Sequence, residues 1–367
     1  MKRKIIGVII FYISSLCCSS ENENRYELDL LVGNAEIPEA SVSVSNGLAV
    51  VQAFENGKLK LYSSAPDYQF ELVLKQGSAF LWNIEISNVI KNSILTAFND
   101  KNKSLAVNYE DEILPDKVKY SVETADLNKI SFSLSAPNSK EMTTFKIALV
   151  SDIQDAVDKI QDIFLLMNNN ESLDFVISAG DLTSQGSVEE LEFFQGELNK
   201  LNIPFYSTLG NHETFNDFTA YTNIFGRGSF QFLYKGVYFT FADSSRAGIE
   251  PVVYDWLAGW LEDSKDSTNI FITHYPPFDP SGIRNGSFAS RIEASKLLNM
   301  LSEYNVDLTL YGHIHSYYEF TNAGIPAYIS GGGGAIPQKF DGINRHFLIL
   351  ELDASYGVKN VEVVRVD

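Results

Sequence analysis

The chain has 367 residues, 45% of them hydrophobic, enough to bury a large core and long for a single domain. Its formal net charge of −19 repels polyanions and disfavours long nucleic acid as an electrostatically steered partner. Both of its cysteines, Cys17 and Cys18, lie near the start, so the residues after them can form no internal disulfide.

Residues 1–18 read as an export signal. Lys2, Arg3 and Lys4 form a basic start, and Ile5 to Leu16 form an apolar stretch too short to span a bilayer stably. Removal of the signal deepens the negative charge by three; retention as a membrane anchor is the alternative. The placement of Cys17 and Cys18 resembles a bacterial lipoprotein signal, in which the cysteine after the apolar stretch is lipidated. The residues before either cysteine fit the small-residue pattern poorly, so lipidation stays open. The expected location is extracytoplasmic: cell envelope, periplasm or outside the cell. Residues 19–25 are polar at their start (Ser19-Ser20-Glu21-Asn22-Glu23-Asn24) and are expected to serve as a tether or a frayed terminus.

From Tyr26 to Leu134 the pattern is period-two. Lys58-Leu59-Lys60-Leu61, Gln69-Phe70-Glu71-Leu72, Trp82-Asn83-Ile84-Glu85-Ile86 and Ser131-Phe132-Ser133-Leu134 alternate apolar with polar, with turn residues between them. This predicts an antiparallel β-sandwich over 26–134, with no histidine in it. Residues 135–144 are polar, carry Pro137 and read as a linker.

From Phe145 to Asp367 strands alternate with helices. Val157, Ile160, Ile163, Phe164 and Met167 share a helical face, and Ser187 with Glu190 forms a capping box ahead of Leu191, Phe194 and Leu198. Two further helices carry Trp256, Leu257, Trp260 and Leu261, and Ala294, Leu297, Leu298 and Leu301; their apolar faces are read as core.

Four of the five histidines fall in three clusters, Asn211-His212-Glu213, His274-Tyr275 and Gly312-His313-Ile314-His315. Asp152 follows Ile147-Ala148-Leu149-Val150 and Asp181 follows Phe175-Val176-Ile177, while Asn211, His274 and His313 likewise follow short apolar runs. In an open α/β sheet, ligands bind beyond the carboxyl ends of the strands. Nitrogen and carboxylate oxygen together suit Zn, Mn, Fe or Co.

In order, Asp152-Ile153-Gln154, Gly180-Asp181, Gly210-Asn211-His212-Glu213, His274 and Gly312-His313-Ile314-His315 resemble the five blocks of the calcineurin-like metallophosphoesterases. The resemblance covers about Phe145 to Asp367. It implies an α/β (α+β) catalytic domain, two sheets flanked by helices, after the all-β domain. It also implies that Asp181 bridges two divalent metal ions, with Asp152, residue 154 and His315 completing one sphere and Asn211, His274 and His313 the other. Two metals roughly 3.5–4 Å apart sharing a carboxylate can turn a bridging water into hydroxide near neutral pH for in-line attack on phosphorus. His212 is then not a ligand but the general acid for the leaving oxygen. The substrate is a small phosphorylated molecule: phosphomonoester, phosphodiester or nucleotide pyrophosphate.

Gln154 stands where the family usually has His. Its amide oxygen is a weaker, harder donor than imidazole and favours Mn or Fe over Zn; the other reading has residue 154 turned away and water in its place. The domain order is similar to that of purple acid phosphatases, but Ser184 stands where those have a tyrosinate, so no purple chromophore is expected. Glu213 either orients a neighbour or is a solvated loop carboxylate. Gly331 to Gly334 read as a tight loop in preference to a substrate approach, Arg284 as an exposed loop residue that could otherwise reach a phosphate, and His346 as structural. A rival reading from another class is a surface binding protein with a recognition sandwich and a structural metal site. The spare imidazole of His212 weighs against it.

Overall fold

A computed structural model describes residues 25–216, 219–282, 286–339 and 341–366. The signal at 1–18 with its cysteines, the tether up to Asn24, and Arg284 lie outside the described residues.

Two sheets make the amino-terminal region. One has the order Asn34–Ile37, Ala40–Val44, Tyr68–Leu74, Lys129–Ser135, Ile94–Asn99, Ser104–Leu105, and the other Ala49–Glu55, Lys58–Ser63, Leu81–Ser87, Lys117–Glu123, Val107–Leu114. The alternation sends Phe70, Leu72, Trp82, Ile84, Ile86, Ile130, Phe132 and Leu134 into one core. Phe70 and Phe132 are direct cross-strand partners whose rings stack at 4.6 Å. Two expectations need correction. Lys58–Ser63 pairs parallel, not antiparallel, with Leu81–Ser87. The period-two pattern does not reach back to Tyr26, because Arg25–Leu31 is a helix. Its Leu28-Asp29-Leu30 alternation imitates a strand, but the helix instead buries Asp29, whose carboxylate accepts the backbone N–H groups of Gly228 and Ser229 at 3.3 and 3.4 Å.

The second region packs two further sheets face to face. Their orders are Phe205–Ser207, Leu173–Ser178, Phe145–Leu149, His346–Asp353, Gly357–Arg365, and Phe230–Tyr234, Val237–Ala242, Asn269–Thr273, Leu308–Tyr311, Ile325–Ser330, Tyr317–Asn322. Phe175 from one sheet meets Phe232 and Phe239 from the other at 6.0 and 5.4 Å between ring centroids. Helices Gln161–Asn168 and Val188–Leu198 cover the outer face of the first sheet, and Pro251–Ser264 and Arg291–Glu303 that of the second. This is the expected two-sheet sandwich flanked by helices. The helical face read from Val157 to Met167 is buried as expected, but its first part, Gln154–Lys159, is a 3-10 turn and the α-helix begins only at Gln161. The left-handed backbone of Gln154 (φ 48°) precludes an α-helical start there. Ser187 Oγ accepts Glu190 N as a cap, while the Glu190 carboxylate takes the N–H of Gln185 in place of the reciprocal bond.

The two regions are joined by buried polar contacts. Asn88 donates to the carbonyls of Ser63 (2.7 Å) and Phe205 (2.8 Å) and accepts Phe205 N–H at 2.7 Å. The segment that follows Ser135 is held as well, since Asp67 accepts Ala136 N and Ser139 Oγ.

Candidate metal centre

In the second region the strands Phe145–Leu149, Leu173–Ser178 and Phe205–Ser207 run parallel in one sheet, and Asn269–Thr273 and Leu308–Tyr311 run parallel in the other. Within each sheet the carboxyl ends of these strands face the same way, and the loops that follow them carry Asp152, Asp181, Asn211, His274 and His313, whose donor atoms converge. Four positions in these loops adopt left-handed backbone: Asp152 (φ 58°), Gln154 (48°), Asp181 (55°) and His313 (64°). Non-glycine residues held this way cost of order 1–3 kcal/mol each and cluster where geometry serves a site.

Two groups of donors result, Asp181 with His274 and His313, and Asp152 with Asp181 and His315. Within each group every donor atom lies within 4.8 Å of the others. Asp181 belongs to both, which suits a carboxylate shared between two cations. Asn211 joins the first group, its Oδ1 lying 3.1 Å from His274 Nε2 and 3.0 Å from His313 Nδ1. Gln154 joins the second, but with its amide nitrogen, 2.9 Å from Asp181 Oδ2 and 3.3 Å from His315 Nε2. An anionic oxygen attracts the amide N–H, whereas a cation attracts the amide oxygen; a half-turn of the terminal torsion exchanges them.

The donor set fits divalent ions. Asp152 Oδ1 is buried without a hydrogen-bond partner, 3.5 Å from His315 Nε2, while Asp152 Oδ2 accepts Ser151 Oγ (2.6 Å) and His313 N (3.0 Å). A buried carboxylate oxygen left bare by the protein is costly unless a cation completes it. Burial pushes the Asp152 carboxyl above its usual range, with the imidazoles of His274 and His315 opposing. Burial also works against ionisation of Asp181, but there the facing imidazoles of His274 and His212 win and hold it below the usual range. His274 is raised to about 9, because Asp181 and Asp152 outweigh a burial that would lower it.

Each imidazole is aimed by the atom it does not present. His274 Nδ1 is bonded to the Ala179 carbonyl (2.8 Å) and His315 Nδ1 to that of Ile336 (2.7 Å), leaving Nε2 of both for the cluster. His313 presents Nδ1, and the Tyr275 ring stacks on it at 3.7 Å. His212 Nδ1 donates to the Ser184 carbonyl (2.6 Å), and its Nε2 is 3.8 Å from Asp181 Oδ2. His212 thus faces the cluster without belonging to either group of donors. Ser184, whose hydroxyl donates to Asp155, clamps the imidazole from the position where a tyrosinate would stand in the similar family.

Glu213 is not a solvated loop carboxylate. It is fully buried, and its two oxygens accept N–H from Asp181 (2.9 Å), Gly210 (2.8 Å), Leu182 (2.8 Å) and Thr183 (3.2 Å). Burial, reinforced by the Asp181 charge, raises its carboxyl to about 7. A Cβ on Gly210 would lie 2.1 Å from Asp181 Oδ1, so no larger residue fits there. The four-glycine run packs against the loop that carries Asp152. Gly333 donates to the Ser151 carbonyl (2.9 Å), and a Cβ there would lie 2.5 Å from that oxygen. His346 is buried with Nδ1 on the Asn344 carbonyl (2.8 Å), outside the cluster. The roles of Ser151, of Tyr275 and of the carbonyls of Ala179, Ser184 and Ile336 had no sequence signal of their own. Only adjacency of Ser151 to Asp152 and of Tyr275 to His274 could have pointed to two of them.

Comparison with known proteins places this geometry. Residues 145–317 match the family model described as calcineurin-like phosphoesterase. This segment is a calcineurin-like phosphoesterase domain. The chain is 27% identical over 158 residues to a 3',5'-cyclic-nucleotide phosphodiesterase of Nostoc sp., covering 40% of this chain and 57% of that protein. It is 26% identical over 155 residues to a probable glycerophosphodiester phosphodiesterase of Arcobacter nitrofigilis, covering 39% and 56%. The match thus spans little more than half the length of either relative. Among solved structures, a purple acid phosphatase from yellow lupin (Lupinus luteus) seeds superposes with a TM-score of 0.52 at 13% identity, covering 82% of this chain and 72% of that one. That coverage exceeds what the residues from 145 onward can supply, so the likeness of fold takes in part of the β-rich region ahead of the phosphoesterase domain.

Proposed function

We propose that the protein is a metal-dependent hydrolase of phosphoric esters, with phosphodiesters the favoured class. The observation that carries this reading is the pair of donor groups sharing Asp181, with the imidazole of His212 facing the cluster outside both groups. Both curated relatives are named as phosphodiesterases, which supports a diester.

Asp152, Gln154, Asp181 and His315 would hold one divalent ion, and Asp181, Asn211, His274 and His313 the other. Two such ions, when bound, supply Lewis acidity toward phosphoryl oxygens and a nucleophilic water at neutral pH. The chain's own contribution is positioning and proton transfer. Glu213 and the carbonyls of Ala179 and Ile336 fix the ligand orientations before substrate arrives. With Nδ1 committed to the Ser184 carbonyl, His212 offers Nε2 as the proton donor to the departing oxygen. The neutral amide at residue 154 favours Mn or Fe over Zn.

The same proposal includes export across the cytoplasmic membrane, supported by the basic and apolar start of the chain, with lipidation at Cys17 or Cys18 as a means of attachment. Among the described residues no helix is long and apolar enough to cross a membrane. The deciding experiment quantifies bound metal and then assays bis-p-nitrophenyl phosphate and p-nitrophenyl phosphate with Mn. Faster cleavage of the diester supports the proposal. Two bound metals with hydrolysis of neither ester would favour a non-catalytic binding protein.

A further inference from the structure

The side chain next to the acid is unusual for an exposed loop. Phe215 lies at the end of the short turn His212–Thr214, its N–H bonded to the His212 carbonyl at 3.4 Å. Its ring centroid is 4.6 Å from that of His212, inclined at 49°. Yet 54% of Phe215 remains exposed, whereas the His212 side chain is only 19% exposed. The phenyl ring therefore covers part of the imidazole and leaves another part of its own surface to solvent.

The position of the acid then says what Phe215 can touch. The His212 ring is fixed by Ser184, and Nε2 must come within about 3 Å of the departing oxygen to protonate it. A substituent on that oxygen would pass His212, and Phe215, in ring contact with that imidazole and still half exposed, is placed to meet it. A flat aromatic body gains offset or edge contacts there that a polyol or short alkyl chain cannot make. A second exposed apolar side chain, Ile336, stands at the other donor group, its carbonyl being the one that aims His315.

We infer that Phe215 is a specificity wall, and that the site favours phosphoesters whose leaving group carries an aromatic ring over those that release an alkyl or polyol group. This rests on the hydrolase reading above and narrows its substrate class.

The test compares dibenzyl phosphate with dipropyl phosphate, whose leaving alkoxides have similar basicity, using the Mn-loaded full chain and its Phe215→Ala and Phe215→Trp variants. In parallel, calorimetry measures binding of benzylphosphonate and propylphosphonate. Phe215→Ala should lower the benzyl-to-propyl ratio of kcat/KM about three- to ten-fold and weaken benzylphosphonate by a similar factor. Phe215→Trp should retain both preferences. Equal losses for both esters would show that Phe215 only packs against His212, and unchanged ratios would show that it touches no substrate; either overturns the inference. If the loaded protein hydrolyses neither ester, the hydrolase reading falls. The phosphonate affinities still decide whether Phe215 selects an aromatic ligand.

Discussion

The Glu213 carboxylate accepts the backbone N–H of Asp181 at 2.9 Å and that of Gly210 at 2.8 Å, so one buried acid ties together two of the loops that form the metal centre. Its other oxygen takes Leu182 and Thr183. Removing it strands four buried donors. Glu213→Ala should lower unfolding free energy by about 3 kcal/mol or more and reduce metal content. Glu213→Gln, which keeps the shape but loses acceptor capacity, should fall between that variant and the parent. Urea unfolding together with metal quantitation reads both, and a Glu213→Ala protein of parental stability and metal content would contradict the role.

His212 contacts the cluster without being needed to hold an ion. His212→Ala should cut kcat by about 10²- to 10⁴-fold while bound metal stays at the parental level. The loss should be smaller for a p-nitrophenyl leaving group, which departs without protonation, than for an alkyl one. A fall in metal content of the same size as the fall in rate would instead make His212 a ligand.

Gln154 meets the cluster through an amide that can present either nitrogen or oxygen. Gln154→His should tighten the weaker ion, and Gln154→Ala should loosen it, by about ten-fold or more each. Metal titration of apo protein followed by calorimetry measures this. Equal affinities in all three proteins would mean that water, and not residue 154, completes that sphere.

Asn88 makes two hydrogen bonds across the junction of the β-rich region and the phosphoesterase domain, both to Phe205, and a third to Ser63 on its own side. Asn88→Ala leaves the N–H and C=O of Phe205 and the carbonyl of Ser63 without this partner, and should cost about 2–4 kcal/mol. Because apolar residues of both regions form one continuous core, unfolding is expected to remain a single transition at a lower midpoint. Separation into two calorimetric transitions would show that Asn88 is what couples them.

Asp29 sets a pH dependence. Burial, opposed by Arg227 and reinforced by Asp243, raises its carboxyl from 3.8 to about 7 in the folded protein. The native state therefore holds a proton that the unfolded chain has already released between pH 4 and 7. The stability contributed by this group is fully present below about pH 4 and is lost as pH rises toward 7, at up to about 1.4 kcal/mol per pH unit. Asp29→Asn should remove that downward slope, which urea unfolding between pH 5 and 7 would show. Identical slopes in parent and variant would mean that Arg227 keeps Asp29 ionised throughout.

Much of this protein was legible in the residue order because its signals are local and periodic. Alternation along Gln69–Leu72 and Trp82–Ile86 specifies half-buried strands, and polar residues placed just past apolar runs put Asp152, Asp181, Asn211, His274 and His313 at strand ends. What the order could not convey depends on groups distant in sequence. The period-two reading extended back to Tyr26, but Arg25–Leu31 is a helix whose Asp29 accepts the buried N–H groups of Gly228 and Ser229. Glu213 looked as suited to solvent as to the interior until Asp181, Leu182, Thr183 and Gly210 closed around it. The tautomers of His212, His274 and His315 are set by the carbonyls of Ser184, Ala179 and Ile336. Every residue carries a carbonyl, so composition says nothing about which will be near. Residue order sets which chemical groups are available and at which strand ends they emerge. How they are aimed is set by packing, because orientation is enforced by backbone donors and acceptors that become neighbours only in the folded chain.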